Sequence, residues 1–425
     1  MGGEGPWNLM GIEPPRPELD SDGLRSFFWQ FARSRLDQLD VMRFGQEFAA
    51  CKADNVRVLL NATVCQIGLS QDGRKFDELE ISTMEGVRST VKAKIAVIAA
   101  GGIENARLLL ASNRDQACGV GNTQDIVGRF LMDHAGARVA RLDGDAIAPV
   151  IERFGFYVVR HGGRKHMYLR GLVPTPALQE RERLLNSSVC IMEERSPEDP
   201  WDALKRLLRR DFANAFRDAV SVLFGAKLLA SGIGMKALAS DAMPDMLKKL
   251  IVDTAIRHVP DFAASVNRGV PHKLKSLSVD VLAEQKPDRE SRITLSNNLD
   301  RLGIPMAKAK WRIQDDERRT IIRLAHLVRH AFGQAGLPEP VLEPWVMDDR
   351  PEDGVIMDMA HTMGTTRMSD NPQCGVVDRD CRVHDVDGLF IAGSSVFPTS
   401  GHANPTLMIC TLAIRLADTI KSNLR

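Results

Sequence analysis

Polar and small residues near the C-terminal end of the chain fall at spacings that could build a cofactor site. His361 precedes a Gly- and Thr-rich turn, and an apolar run at 388–391 ends in Ala392 and Gly393. A second polar loop, 398–406, then runs directly into an apolar helical pattern. A strand end and a helix start would meet at one point, where open α/β sheets bind ligands. The histidine adds a side chain that is largely neutral at cellular pH and can accept a proton.

A second strand and helix must position these loops. Residues 95–100 form a continuous apolar run, which predicts a strand buried on both faces. Gly101 and Gly102 end the run, and 103–111 has helical periodicity. Glycines at a strand end allow the backbone to pass close to a ring or a phosphate. The sequence therefore predicts two strand ends that share one ligand.

The flanking segments read as β structure and one long helix. Residues 56–68 predict two β pieces with a bend near Asn61, and 76–84 with 89–94 predict a hairpin. Short alternating strands in the middle of the chain suggest one antiparallel sheet, at 156–159, 167–172, 188–192, 276–284, 292–296 and 307–312. A helical insert separates them at 200–260, and 315–332 predicts an amphipathic helix that stops near Gly336.

Composition excludes several classes of protein. A chain of 425 residues with 44% hydrophobic and 26% charged residues predicts a globular protein of two or three domains. The net charge of +1 predicts no nucleic-acid partner, and no apolar stretch reaches the roughly 18 residues that span a bilayer. Seven cysteines without a Cys-x-x-Cys pair, and no visible signal peptide, predict a cytoplasmic protein. No metal site is predicted, because His161 and His166 lack partners at ligand spacing.

Three blocks resemble, in the right order, the glucose–methanol–choline (GMC) family of FAD-dependent oxidoreductases. They are residues 96–112 with 128–134, residues 284–296, and residues 361–406. The resemblance covers most of 55–425. It implies an α/β plus α+β fold, in which a Rossmann-like FAD-binding domain accompanies a substrate domain built on an antiparallel sheet and helices.

The resemblance also implies a missing part. Members of that family open with a strand, a Gly-x-Gly-x-x-Gly turn and a helix, and no such unit stands in this sequence. We therefore expect a truncated chain with an incomplete FAD-binding domain. The implied domains are an N-terminal remnant near the substrate entrance (1–45), part of the FAD-binding domain (46–134), the substrate-binding domain with its insert (135–345), and the rest of the FAD-binding domain with the catalytic loops (346–425).

Catalytic roles follow from the same resemblance. It implies that His361 takes the hydroxyl proton of the substrate while the carbon hydride goes to the flavin. Asn404 would orient the hydroxyl and donate to the developing alkoxide, and His402 competes as the second polar group. The alternative is that His361 is a hydrogen-bonded structural residue and Asn404 a turn former. His134, at the end of the 128–134 block, is interpreted as structural.

Cofactor contacts are implied at the two strand ends and at the start of the last helix. The predicted FAD-binding residues are Val64, Gly101, Gly102, Asn105, Ala392, Gly393, Asn404, Pro405 and Thr406. Each of these positions would also suit an ordinary strand-to-helix turn.

Two functions remain open at this point. The first is an FAD-dependent oxidoreductase acting on the CH–OH group of an alcohol or sugar-like substrate, either alone or as the C-terminal part that a separate N-terminal nucleotide-binding chain completes. The second is a catalytically inert relative that acts as a binding or assembly partner. The residues do not distinguish among alcohols or electron acceptors.

Overall fold

A computed structural model of the chain describes residues 23–31, 45, 48, 53–161, 164–239 and 272–424. The strands are β1 (Leu24–Phe31), β2 (Thr63–Leu69), β3 (Phe76–Ser82), β4 (Arg88–Lys92), β5 (Ala96–Ile98), β6 (Ala135–Asp143), β7 (Phe156–His161), β8 (Arg164–Pro174), β9 (Ser187–Arg195), β10 (Leu274–Ala283), β11 (Arg292–Leu299), β12 (Pro305–Lys310), β13 (Val341–Leu342) and β14 (Leu389–Ile391). The α-helices are α1 (Gly101–Ala111), α2 (Ile147–Phe154), α3 (Pro176–Glu182), α4 (Pro200–Leu208), α5 (Ala215–Phe224), α6 (Ala226–Ala239), α7 (Asp315–Gln334), α8 (Pro344–Met347) and α9 (Thr406–Asn423). The mixed helix-and-sheet class predicted from the sequence is confirmed.

The larger of two hydrophobic cores lies under an antiparallel sheet. Its strand order is β1-β8-β9-β10-β6-β13, with β7 pairing β8. Helix α7 covers this sheet with its apolar stripe, which includes Ile321, Leu324 and Val328. A capping box between Gln314 and Glu317 starts the helix, which agrees with the prediction for 315–332.

The second core holds the elements that carry the candidate site. Strands β5 and β14 pair in parallel, and α1, α9 and the β2-β3-β4 sheet pack around them. The predicted hairpin is confirmed as β3 and β4, and Asn61 makes the predicted bend with a φ of 54°. The expectation that β5 is buried on both faces was wrong, because Val97 is 42% exposed. No described element covers that face of the strand.

Two further expectations about the strands also change. Strands β11 and β12 form their own two-stranded sheet instead of joining the large one. Ile293 of β11 is buried in the second core, which explains the change. Residues 56–60 form no strand, so only the second of the two predicted β pieces exists.

The structure describes part of the predicted N-terminal remnant and part of the helical insert. Strand β1 lies in the region expected as an N-terminal remnant, and it pairs along its whole length with β8. The helical insert is described as α4 to α6, and residues 240–260 of it lie outside the described residues. The domain boundaries stay predictions.

Candidate active site

The carboxyl ends of β5 and β14 lie side by side and bring two loops together. Ile98 pairs with Ile391, and the N–H of Ala392 donates to the carbonyl of Ile98 at 2.8 Å. The Asn105 side chain, which is fully buried, links both loops. Its oxygen accepts from the N–H of Ala100 at 2.7 Å, and its nitrogen donates to the carbonyl of Ala392 at 3.1 Å and to the Ser395 hydroxyl at 2.8 Å.

The loop that begins at His361 is bonded to the segment after β14. Ser394 donates its hydroxyl to the carbonyl of Thr362 at 2.7 Å, and the N–H of Thr366 donates to the carbonyl of Ser395 at 2.9 Å. Gly102 allows this close approach, because a Cβ there would stand 2.4 Å from the Thr362 carbonyl oxygen. The Gly101–Gly102 turn therefore packs directly against the loop that begins at His361.

Asp133 fixes the backbone at His361. Its carboxylate accepts from the N–H groups of His361 at 2.9 Å, Met359 at 3.0 Å and His134 at 2.6 Å. Burial raises the pKa of the Asp133 carboxyl, and the three backbone donors oppose that shift. The bonds from the Met359 and His361 N–H groups to this buried carboxyl group fix the backbone conformation of residues 359–361.

His361 and Asn404 meet, although they lie on separate loops. The Asn404 side-chain nitrogen is 3.5 Å from Nε2 of His361. An amide nitrogen can only donate, so Nε2 is the accepting atom and the proton of the neutral ring lies on Nδ1. That Nδ1 is buried and has no hydrogen-bond partner among the described residues. The ring thus places its basic Nε2 beside an amide donor, an arrangement that suits proton abstraction from a hydroxyl.

His134 supports the His361 ring from the side. The two rings are 5.0 Å apart, edge to face. Nδ1 of His134 donates to the carbonyl of Gly401 at 2.8 Å, which leaves Nε2 as an unpaired acceptor. Burial lowers the pKa of His134 to about 4, so this ring is neutral at cellular pH. The contact of His134 with His361 is compatible with the interpretation of His134 as a structural residue.

His402 lies next to the same pocket but points to the large sheet. Its Nδ1 donates to the side-chain oxygen of Asn186 at 2.9 Å, and its ring packs edge to face on Phe27 at 5.0 Å. Burial lowers the pKa of His402 to about 4, and Nε2 has no partner among the described residues. Its catalytic role stays a prediction.

The predicted cofactor residues divide by their surroundings. Gly101 and Gly393 have φ values of 90° and 112°, and a Cβ at Gly101 would meet no atom within 4 Å. Asn105 is enclosed by protein, whereas Asn404 and Thr406 are exposed at the start of α9 and Pro405 between them is buried. Val64 and Ala392 are partly accessible, whereas Gly102 is buried. Contact with FAD stays a prediction for all of them.

Sequence reasoning missed three residues that shape the site. Asp133 anchors the His361 loop, while Phe27 and Asn186 hold the His402 ring. The position of Asp133 next to His134, inside a block already singled out, was the one available signal. Nothing in the sequence linked Phe27 to the site, because β1 reaches it only through the sheet.

Paired parallel strands with glycines at their carboxyl ends, beside a histidine and an asparagine, form the arrangement at which α/β sheets bind small molecules. Residues 287–413 match the family model of the GMC oxidoreductase C-terminal domain. The resemblance noted in the sequence is thereby confirmed.

Several characterised proteins are similar to the chain. It is 26% identical over 384 residues to the fructose dehydrogenase large subunit of Gluconobacter japonicus, covering 89% of this chain and 56% of that protein. It is 25% identical over 356 residues to 2-methyl-1,2-propanediol dehydrogenase of Mycolicibacterium austroafricanum, covering 83% and 52%. Pyridoxine 4-oxidase from Mesorbium loti aligns with a TM-score of 0.48 at 15% identity, over 87% of this chain and 59% of that one. The chain spans about half the length of the curated relatives it matches.

Proposed function

We propose that this chain forms the catalytic part of an FAD-dependent oxidoreductase that acts on CH–OH groups of alcohol or sugar-like molecules. The contact between Nε2 of His361 and the Asn404 amide at 3.5 Å carries the proposal. An accepting nitrogen and a donating amide at one point suit a substrate hydroxyl, which must lose a proton and gain stabilisation of its oxygen. The match of residues 287–413 to the GMC oxidoreductase model, and two relatives that are named dehydrogenases of a sugar and of a diol, support the same reaction class.

The strand-end loops fit FAD. Gly101 and Gly393 leave open space where any other residue would place a Cβ, and their positive φ values favour glycine. Their backbones would lie along the flavin and its pyrophosphate, while residues 404–406 would place polar groups of the α9 start against the flavin ring. Bound FAD would supply the hydride acceptor for the substrate carbon.

The protein's own groups would handle the proton and the oxygen. Nε2 of His361 accepts the hydroxyl proton, and the Asn404 amide N–H donates to the substrate oxygen as negative charge develops on it. Burial keeps the His134 ring neutral beside His361, with its pKa lowered to about 4. Asp133 acts as a positioning residue, because it bonds the backbone of the base and not the reacting atoms.

Anaerobic flavin reduction tests the proposal. We expect His361→Ala to slow substrate-dependent bleaching of bound FAD by about 10²–10⁴-fold, while bound flavin per protein stays unchanged. His384→Ala is the matched control, since His384 bonds the Ser369 carbonyl in another loop. Unchanged reduction in His361→Ala would remove this residue from the mechanism.

We further propose that a nucleotide-binding segment covers the open side of the second core. Val97 of β5 and the α9 residues Leu407, Met408 and Ile414 are exposed, with Leu407 at 76%. Parallel sheets are normally covered on both faces, and an unpaired strand edge favours pairing with another strand. A separate N-terminal chain with a strand–turn–helix unit would cover these residues and add the adenosine site.

An inert assembly partner is the second candidate, and the same exposed residues favour it. One titration experiment distinguishes the two candidate functions. A separately expressed segment with a Gly-x-Gly-x-x-Gly turn is added to the chain in the presence of FAD. Tightened FAD binding together with protection of Leu407 from hydrogen exchange would support the enzyme. Association of the two polypeptides without any flavin binding would support the inert partner.

The cytoplasmic location also stands as a proposal. Cys65, Cys118, Cys190, Cys374, Cys381 and Cys410 are free thiols in the structure. No helix in the described ranges has the length and hydropathy to cross a bilayer.

A further inference from the structure

Helix α5 exposes apolar side chains and buries polar ones, which is the reverse of an ordinary surface helix. Phe216 and Leu223 are seven positions apart, so they lie on one side of the helix, and both are exposed. Asp218 and Ser221, which lie on the opposite side, are buried against the protein. Phe216 is 86% exposed and Phe224 is 85% exposed. Among the described residues nothing covers the aromatic side chains of this helix, and an exposed apolar patch of this kind commonly marks an interaction site.

The buried polar face of α5 is satisfied, which shows that the orientation is stable. Arg206 of α4 donates to both carboxylate oxygens of Asp218, at 2.7 and 3.0 Å. Helix α4 is itself anchored, because Asp199 accepts from the N–H groups of Trp201 and Asp202 at its start and from the N–H of Lys273 at 2.7 Å. The insert is therefore fixed to the large sheet with its aromatic side outward.

The apolar face extends to the neighbouring segments. We define the insert patch as the exposed large apolar residues of this segment: Leu208, Phe212, Phe216, Leu223, Phe224 and Ile233. Single exposed apolar residues are ordinary, but six of them within one short insert, three of them phenylalanine, are not.

Charge around the insert patch is strongly positive. Residues 200–239 contain seven lysines and arginines and three aspartates, although the whole chain carries a net charge of only +1. Asp218 is neutralised by Arg206, and Asp202 pairs with Arg195 and Lys205. Within the described ranges no ion pair engages the exposed cations Arg209, Arg210, Arg217 and Lys227. The patch thus combines unpaired cations with aromatic side chains.

A cavity of about 650 Å³ opens beside this patch, between α5 and α6. Val220, Phe224 and Leu228 give the cavity an apolar wall, and its charged residues are Arg217, Lys227, Lys273 and Glu198. Glu198 pairs with Lys273 at 2.5 Å, so Arg217 and Lys227 are the lining cations without an ion pair in the described ranges. The size of the cavity lies within the ordinary range for small-molecule pockets. An apolar wall with two such cations suits a molecule that has an acyl chain and an anionic head.

We propose that the insert patch is a peripheral binding surface for an anionic lipid membrane. The phenylalanines enter the boundary between headgroups and acyl chains, and the arginines and lysines contact lipid phosphates. The helices lie on the bilayer and do not cross it. A protein partner would need an acidic surface that matches the positions of the four cations around the patch, whereas an anionic bilayer presents phosphates along its whole surface. This arrangement would hold a soluble alcohol oxidoreductase at the membrane surface.

Vesicle binding by the purified full chain tests this surface. The protein is floated with vesicles of phosphatidylcholine alone, or of phosphatidylcholine mixed with phosphatidylglycerol, over a range of salt. We expect binding to the anionic vesicles, weakened by salt, and much weaker binding to the neutral ones.

Two pairs of substitutions separate the apolar and the charged contributions. Phe216→Ser with Phe224→Ser should lower the partition coefficient by roughly tenfold for each phenylalanine. Arg209→Gln with Arg210→Gln should lower it by roughly fivefold for each arginine and reduce its salt dependence. Val355→Ser and Arg301→Gln, at exposed positions elsewhere, are the matched controls.

Each outcome decides the matter. Urea unfolding first establishes that the phenylalanine variant is folded, and the arginine pair supplies an independent test if it is not. Absence of binding to anionic vesicles, or binding that both insert pairs leave equal to the controls, would overturn the proposal. Self-association of the wild type that the phenylalanine variant abolishes, without vesicle binding, would show that the patch contacts protein instead.

Discussion

His134→Asn should remove the pH dependence of stability that this buried ring imposes. The asparagine amide can replace Nδ1 as the donor to the Gly401 carbonyl, and it does not titrate. In the unfolded chain a histidine has a pKa of about 6.5, whereas burial lowers the pKa of His134 to about 4 in the fold. Between these values the unfolded chain binds a proton that the folded chain does not. Stability is therefore complete above the unfolded pKa and falls as the pH drops toward 4.

The magnitude follows from the size of the pKa difference. One pKa unit corresponds to about 1.4 kcal/mol, so a difference of roughly 2.5 units costs the wild type about 3 kcal/mol by pH 4. At pH 7 the variant should instead be less stable than the wild type by about 1–2 kcal/mol, because asparagine leaves part of the ring volume empty. The two stability curves should therefore cross between pH 7 and pH 4.

Urea unfolding at closely spaced pH values from 7.5 to about 4 measures the crossing. His330→Asn, at an exposed position on α7, is the control, and its curve should follow the wild type. His402, whose pKa burial also lowers to about 4, keeps part of the acid sensitivity in His134→Asn. Parallel curves for His134→Asn and the wild type across this range would refute the idea that His134 is buried in its neutral form.

Three further outcomes check the packing around the site and the state of the thiols. Asn105→Ala should lower the free energy of unfolding by about 2–4 kcal/mol, because it leaves buried groups of both strand-end loops unpaired; a change below about 0.5 kcal/mol would contradict its bridging role. Gly102→Ala should cost about 1–3 kcal/mol in urea unfolding, whereas Gly234→Ala, whose Cβ meets no atom, should add up to about 1 kcal/mol. Equal effects of the two glycine changes would count against the close approach at Gly102. Cys118 is exposed and should react with a thiol reagent in the native protein, whereas Cys190, with a pKa that burial raises to about 12, should react only on unfolding; simultaneous labelling would show that Cys190 is accessible.

The parts of the fold that depend on short-range patterns could be predicted. The strand before Gly101, the hairpin β3–β4, helix α7 and the order of loops between His361 and Asn404 are each encoded within a few neighbouring residues. Apolar periodicity and turn residues are sufficient there, because neighbours along the chain determine the local conformation.

The parts that depend on distant partners could not be predicted. The bond from the His361 N–H to Asp133 joins residues 228 positions apart, and no local pattern marks it. The hairpin β11–β12 has the alternation of a sheet strand, and its packing on α1 is decided by the buried Ile293. Helix α5 shows the same limit, since a helical apolar stripe is identical in sequence whether it faces the core or the solvent.

The parallel pairing of β5 with β14 has a consequence for how the molecule is made. During synthesis β5 leaves the ribosome long before β14, and the strands of the large sheet lie between them along the chain. That sheet and its helix α7 can therefore fold while β5 still has no partner. Closing so long a loop is slow, so the strand ends that flank His361 and Asn404 should come together in one late docking step. Folding intermediates that already carry the large sheet would then lack the assembled candidate site, and they would expose β5 to premature pairing with other nascent chains.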